Sequence, residues 1–243
     1  MHDPPDDVAA LQQEVEILRG ELDQISTAVS HDLRAALRGI TNLASWIDED
    51  LPEVTDPTIR DHLRLLCVRT QHMDRLLGGI VELARIGRAR VAAERVELTE
   101  LVHEAIVQCN PPDASRVMMI GELPMLVTDR AALLQIFGHL VANALQHAGR
   151  PDVVVRISAV DRGDAWELVV ADNGGGIASE HRGRVWELFQ TVRAPAADGE
   201  PAGIGIGLPI VKTQVARHGG RVWIDDSVPG TTIRFTWPKQ QRI

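Results

Sequence analysis

An imidazole and a carboxylate stand side by side at His31 and Asp32, and two glycine clusters lie far downstream, Asp172-Asn-Gly-Gly-Gly-Ile177 and Gly203-Ile-Gly-Ile-Gly-Leu208. A water-facing imidazole keeps an unprotonated ring nitrogen near neutral pH, and that nitrogen can attack phosphorus. A carboxylate beside it can accept the departing ring proton and hold the reactive tautomer. Alone, such a pair is commonplace on helix surfaces, so its meaning depends on its company. Glycine-rich turns let backbone amides approach phosphates closely. A helix starting after such a turn points its positive end at anions. Neither cluster carries the Gly-Lys-Ser/Thr of a P-loop, and neither belongs to an early strand-Gly-helix dinucleotide unit. Each taken singly is equally an ordinary turn.

The elements that must hold these groups begin with a long helix. Val8, Leu11, Val15, Leu18, Leu22, Ile25 and Val29 step by 3 and 4, an a/d seam that favours a parallel two-stranded coil. Two consecutive steps of 4, Ile25 to Val29 to Leu33, form a stutter that shifts the seam just before His31. At 100° per residue, Leu33, Ala36, Ile40, Leu43 and Ile47 fall within about 40° of Val29, while His31 falls near 200° and points to water. Pro52 and Pro57 end this helix, and Ile59, Leu63, Leu66, Thr70, Met73, Leu77, Ile80 and Ala84 mark a second one. Two helices with one stripe each cannot bury both, whereas a dimer of hairpins makes a four-helix bundle that can. Residues 87–95 read as a linker. Beyond it, helices at Leu98 to Val107, Asp129 to His147 and Leu208 to His218 alternate with strands at Val117 to Ile120, Val153 to Val160, Trp166 to Ala171, Arg221 to Asp225 and Thr231 to Trp237. This order predicts an α/β two-layer sandwich with its helices on one face.

Composition narrows the partners. A net charge of -9 argues against nucleic acid, which needs clustered cations. The two cysteines, Cys67 and Cys109, do not make a disulfide framework, and reduced thiols are expected. His139 and His147, eight apart, lack the spacing of a zinc-binding helix. No apolar run reaches the roughly 18 to 20 residues that span a bilayer, and the polar start shows no signal peptide. A cytoplasmic chain without membrane insertion is the expectation.

Ser30-His-Asp-Leu-Arg-Ala-Ala-Leu-Arg38 resembles the H-box of sensor histidine kinases. Leu133 to His147, Asp172 to Ile177, Trp186 to Phe189 and Gly203 to Leu208 follow the order of the N, G1, F and G2 boxes of the GHKL (Bergerat) ATPase fold. The resemblance implies a coiled-coil signalling helix at 1–28, a dimerisation and phosphoacceptor domain at 29–87, a linker at 88–97 and an ATP-binding catalytic domain at 98–243. It implies His31 as phosphoacceptor, Asp32 as acid/base and Asn143 as catalytic Mg2+ ligand. Asp172 would accept from the adenine amino group, supported by Thr231 or Thr232, of which Thr232 is the expected contact. Gly174 and Gly176 would let the backbone pass the nucleotide, and Gly203, Gly205 and Gly207 would wrap the phosphates. His147 and Leu208, closing their boxes, join the ATP-binding set. Phe189 would anchor a lid at 190–202. The implied activity is Mg-ATP-dependent autophosphorylation of His31 in a homodimer, then transfer to an aspartate of a response-regulator receiver domain. A serine kinase of the same fold, or an impaired ATP-binding scaffold, is the alternative. Departures are Ala36 for the usual Pro, Ala35 for Thr or Asn, His139 for Asn and Gln146 for Lys. Ala35 cannot orient a hydrolytic water, which implies weak phosphatase activity, and Gln146 forfeits a charge-assisted bond to phosphate.

Overall fold

The computed structural model describes residues 4–52, 56–86, 93–192, 203–226 and 229–239; within the first helix, side chains are described at Glu14, Gly20 and from Ala28 onward. The side chains of the Val8 to Ile25 seam, residues 53–55 of the Pro52–Pro57 turn, the linker segment 87–92 and the lid segment 193–202 lie outside the described residues. The chain divides into two compact units, Met1–Arg88 and Ala89–Ala196 with Pro201–Ile243.

The first unit is a helical hairpin of α1 (Pro4–Asp50) and α2 (Pro57–Ile86). α1 runs unbroken through Ala36, since no proline interrupts its hydrogen bonds there. α2 opens on a proline, whose missing N–H costs nothing at a helix start, and Asp56 Oδ1 accepts from Thr58 N at 2.9 Å. Ser30, Leu37 and Ala44 of α1 and Thr70, Val81 and Ile86 of α2 are buried. Thr41 Oγ1 and Thr70 Oγ1 share a hydrogen bond of 2.9 Å. The expected stripe behaves differently within this chain. Val29, Leu33, Ile40, Leu43 and Ile47 are all exposed, as are Ile59, Leu66, Met73 and Ile80. The hairpin closes on a neighbouring line in which Ser30, Ala44 and Thr70 alternate with Leu37, Val81 and Ile86, and leaves many of its large aliphatics outward. Among the described residues, no helix is long and apolar enough to cross a membrane.

The second unit holds β1 (Ala93–Glu97), α3 (Leu98–Cys109), β2 (Arg116–Ile120), β3 (Met125–Asp129), α4 (Arg130–His147), β4 (Val154–Asp161), β5 (Ala165–Asp172), α5 (Gly207–Arg217), β6 (Val222–Ile224) and β7 (Thr232–Pro238). Among the described residues, two single 3-10 turns, Ser179–His181 and Arg184–Trp186, lie between β5 and α5. The main sheet has the order β2-β4-β5-β7-β6; β2 and β4 are parallel and the other pairs antiparallel. Its inward side chains, including Val155, Ile157, Leu168, Val170, Phe235 and Trp237, form one core with Leu101, Phe137, Leu140 and Val211 of the helices. This is the two-layer sandwich the sequence predicts. A small second sheet corrects it in detail. β1 pairs antiparallel with β3, although 93–97 read as the end of a linker and β3 was not anticipated. β1 buries only Val96, so it shows no alternation to detect. β3 ends at Asp129, whose Oδ1 caps α4 by accepting from Ala132 N at 3.0 Å.

Candidate functional site

His31 lies on the exposed side of α1, with its side chain 78% accessible and that of Asp32 85% accessible. Nδ1 of the ring is 3.3 Å from Asp32 Oδ1. It points away both from the line that meets α2 and from the outward aliphatic stripe, because the three directions divide the helix circumference. Arg34, one turn on, faces Asp74 of α2 at 3.6 Å. Below these residues a groove of about 530 Å³ opens between the helices, lined by Leu37, Arg38, Thr41, Asp74 and Arg75 among others. Its lining comes from two helices, so no single stretch of sequence marks this groove.

In the second unit the candidate residues gather around the C-terminal half of α4. That helix buries Leu133, Ile136, Phe137, Leu140, Val141 and Ala144. His139, Asn143 and His147 stand four apart on the flank of this buried face. The second glycine cluster meets that flank. A Cβ at Gly207 would lie 3.4 Å from Asn143 Oδ1 and Nδ2 and 3.4 Å from His139 Nδ1; one at Gly203 would lie 3.3 Å from His147 Cε1. Gly207 also begins α5, whose first turn has no acidic residue. The first cluster closes the other side. Gly175 N donates to Ala148 O at 3.2 Å, and a Cβ at Gly174 would lie 2.5 Å from Ala148 Cα. Gly174 thus secures the turn against the end of α4. Gly176 has φ +75 and abuts the backbone of Gly230.

Asp172 is fixed by backbone donors. Its Oδ1 accepts from Gly174 N at 2.7 Å and from Thr231 N at 3.2 Å, and its own N–H donates to Thr231 O at 2.8 Å. Both donors fall on one oxygen, which leaves the second able to accept from a ligand amino group. Thr231 is therefore the threonine at Asp172. Thr232, the expected contact, pairs with Ala171 along β5 and β7, while Thr231 meets Asp172 through its backbone N–H and carbonyl. Three other candidates have defined surroundings. Leu208 packs against the hydrophobic core. Gly205, at φ +68, is pressed against Gln190, whose backbone N would lie 2.6 Å from a Cβ, so this glycine serves a close backbone approach. Phe189 anchors by its backbone, its N–H donating to Gly205 O at 2.9 Å, while its ring stays 48% exposed.

These groups suit a metal nucleotide. Asn143 offers an amide oxygen of the hard type that Mg2+ prefers. The start of α5 offers a positive end without a competing carboxylate. Glycine at 207 leaves open the space that a Cβ would fill beside Asn143.

Residues 128–241 match the family model of the histidine kinase-, DNA gyrase B- and HSP90-like ATPases. The chain is 30% identical over 236 residues to cyanobacterial phytochrome B of a Nostoc species, covering 95% of this chain and 31% of that protein. It is 30% identical over 230 residues to the methanogenesis regulatory histidine kinase FilI of Methanothrix harundinacea, covering 93% of this chain and 25% of that one. It therefore spans a third or less of these relatives' length. Its fold is similar to that of the histidine kinase ThkA in complex with the response regulator protein TrrA, with a TM-score of 0.61 at 20% identity, over 94% of this chain and 66% of that one. With a match to that ATPase family at 128–241 and a two-helix hairpin before it, the chain is similar to the histidine kinases among these relatives.

Proposed function

We propose that this chain is the kinase core of a two-component signalling protein, which moves the γ-phosphoryl group of ATP onto His31 and then to an aspartate of a response-regulator receiver domain. The observation that carries this reading is the ring of His31, 78% exposed and 3.3 Å from Asp32. Asp32 favours the tautomer with its proton on Nδ1, so the lone pair sits on Nε2. Nε2 forms the bond to phosphorus, the bond from phosphorus to the leaving oxygen of ADP breaks, and Asp32 accepts the Nδ1 proton. Bound Mg2+, held by Asn143, supplies charge neutralisation on the triphosphate. Asp172 takes the adenine amino group, and Gly203 and Gly207 leave room for the phosphates beside His147 and Asn143.

The same reading includes a homodimer, a receiver domain as partner and a cytoplasmic setting. The outward aliphatics Val29, Leu33, Ile40, Leu43 and Ile47 support the dimer, since half-exposed side chains of this size gain roughly 1 kcal/mol each on full burial. The groove lined by Arg38, Asp74 and Arg75 supports the partner, because its charged groups can pair with those of a docking surface. Ala35 carries no group to orient water, so dephosphorylation of the partner should be slow.

The test is incubation with Mg2+ and γ-labelled ATP. The expected product is an acid-labile, base-stable phosphate that disappears in His31→Gln. Label that persists in His31→Gln would remove His31 from the reaction.

A further inference from the structure

β5 ends at Asp172, and the chain leaves the sheet at Asn173. The register of β4 and β5 pairs Val155 with Asp172, so Val154 and Asn173 face each other next. A regular hydrogen-bonded pair of an antiparallel ladder exchanges two backbone bonds. Here Asn173 N donates to Val154 O at 3.2 Å. Val154 N donates to Asn173 Oδ1 at 2.8 Å, so the side chain takes the place of the backbone carbonyl. That carbonyl is turned to Arg150, whose Nη1 donates to it at 3.4 Å. Arg150 is held in turn by Asp152, through Nε at 2.7 Å and Nη2 at 2.5 Å. The Asn173 amide also donates to Asp152 O at 3.4 Å.

The substitution frees the backbone to turn toward α4, where Gly174 N donates to Asp172 Oδ1 at 2.7 Å and Gly175 N to Ala148 O at 3.2 Å. Without an acceptor in side chain 173, the ladder partner of Val154 N is the carbonyl of residue 173. Taking that partner lengthens β5 by one residue and draws Gly174 N away from Asp172. Adenine carries an amino donor where guanine carries a carbonyl acceptor. A carboxylate oxygen fixed in place accepts from the first and opposes the second, whereas one free to turn separates them poorly. We propose that Asn173 is a positioning residue for base selection: by supplying the acceptor for Val154 N, it keeps the Gly174 turn closed and the Asp172 carboxylate aimed to prefer adenine over guanine. This rests on the ATP-binding reading above.

The experiment uses the full chain with Mg2+ and titrates two non-hydrolysable analogues, AMPPNP and its guanine counterpart GMPPNP. The wild-type chain should bind AMPPNP the more tightly. In Asn173→Ala and Asn173→Leu, which offer no acceptor, that preference should fall about tenfold, the scale of one hydrogen bond to a charged group. Asn173→Asp, which keeps the acceptor oxygen, should retain the wild-type preference. A purely structural role predicts equal losses for both analogues, so an unchanged preference in Asn173→Ala and Asn173→Leu would overturn the proposal. A preference lost in Asn173→Asp to the same extent as in Asn173→Ala would overturn it too. A wild-type chain that binds neither analogue, or both equally, would overturn the underlying ATP reading as well.

Discussion

His31 and Asp32 are adjacent on a helix surface, so their 3.3 Å contact costs almost no ordering of the chain. If Asp32 takes the ring proton, Asp32→Asn should slow autophosphorylation by about 100-fold, the lower range for positioned acid–base help. Initial rates of label incorporation check this, and nucleotide affinity should stay unchanged because Asp32 lies outside the ATPase domain. The glycines separate in the same way. A side chain at Gly205 would meet the Gln190 backbone at 2.5 Å in a left-handed conformation, whereas one at Gly175 meets nothing within 4 Å. Gly205→Ala should therefore lower the stability of the second unit by about 1–3 kcal/mol and weaken nucleotide binding, while Gly175→Ala should leave both close to wild type. Thermal midpoints and AMPPNP titrations distinguish them. Residue types and spacing single out His31, Asn143 and Asp172 as candidates. They did not reveal which of Thr231 and Thr232 meets Asp172, because that depends on the register of β7 against β5, which no single strand encodes.

Among the elements, the hairpin shows what periodicity can and cannot say. The 3 and 4 steps mark two helices, yet most of the large side chains of the α1 stripe and Ile59, Leu66, Met73 and Ile80 of α2 do not face the partner helix of their own chain. Instead Thr41 and Thr70 meet across the hairpin, and each hydroxyl also reaches a carbonyl one turn back, Leu37 O at 3.1 Å and Cys67 O at 2.9 Å. Replacing one threonine strips the other of a half-buried partner. Thr41→Val should then cost about 1–3 kcal/mol, and Thr41→Val with Thr70→Val should cost less than the sum of the two single changes. Denaturant unfolding of the four proteins measures this coupling. The sheet carries a second polar device. Glu167 of β5 is buried and accepts from Arg162 Nε at 2.9 Å and Arg234 Nη1 at 2.7 Å; Arg234 also donates to Asp225 at 2.6 Å. The bond to Arg162, then that to Arg234, hold the Glu167 carboxyl below its ordinary value against the opposing effect of burial. Its folded pKa lies below its unfolded one, so its stabilisation is complete above the unfolded value and is lost as pH falls through the folded value. Glu167→Gln should destabilise the second unit at pH 7, and the gap to wild type should close on acidification below about pH 4. Midpoints that stay equally far apart at pH 3 would exclude this linkage. Neither device was visible in the sequence, since each joins residues far apart in the chain.

At the scale of the whole molecule, the two units bury apolar surface by different means. Among the described residues, the second unit has a core of its own that runs from Val96 on β1 to Trp237 on β7. The first unit buries few large side chains and leaves an aliphatic stripe outward on each helix. An isolated hairpin of this kind gains little from packing, because most helix stability in proteins comes from covering an amphipathic face. Association with a second copy would supply that cover. Heating should then give two transitions. The step belonging to the hairpin should rise with protein concentration, since tenfold dilution costs a dimer about 1.4 kcal/mol, enough to lower a small unit's midpoint by several degrees. The step belonging to the ATPase domain should not move with concentration, yet should rise when AMPPNP and a divalent metal are added, because ligand binding stabilises only the unit that holds the site. Leu43→Asp, a charge in the middle of the outward stripe, should abolish the concentration dependence and yield a monomer in sedimentation, while the ATPase step and its response to nucleotide persist. Calorimetry at two concentrations, with and without nucleotide, reads all of these at once. A hairpin step that ignores both dilution and Leu43→Asp would mean that the stripe is covered by something other than a second copy of the chain.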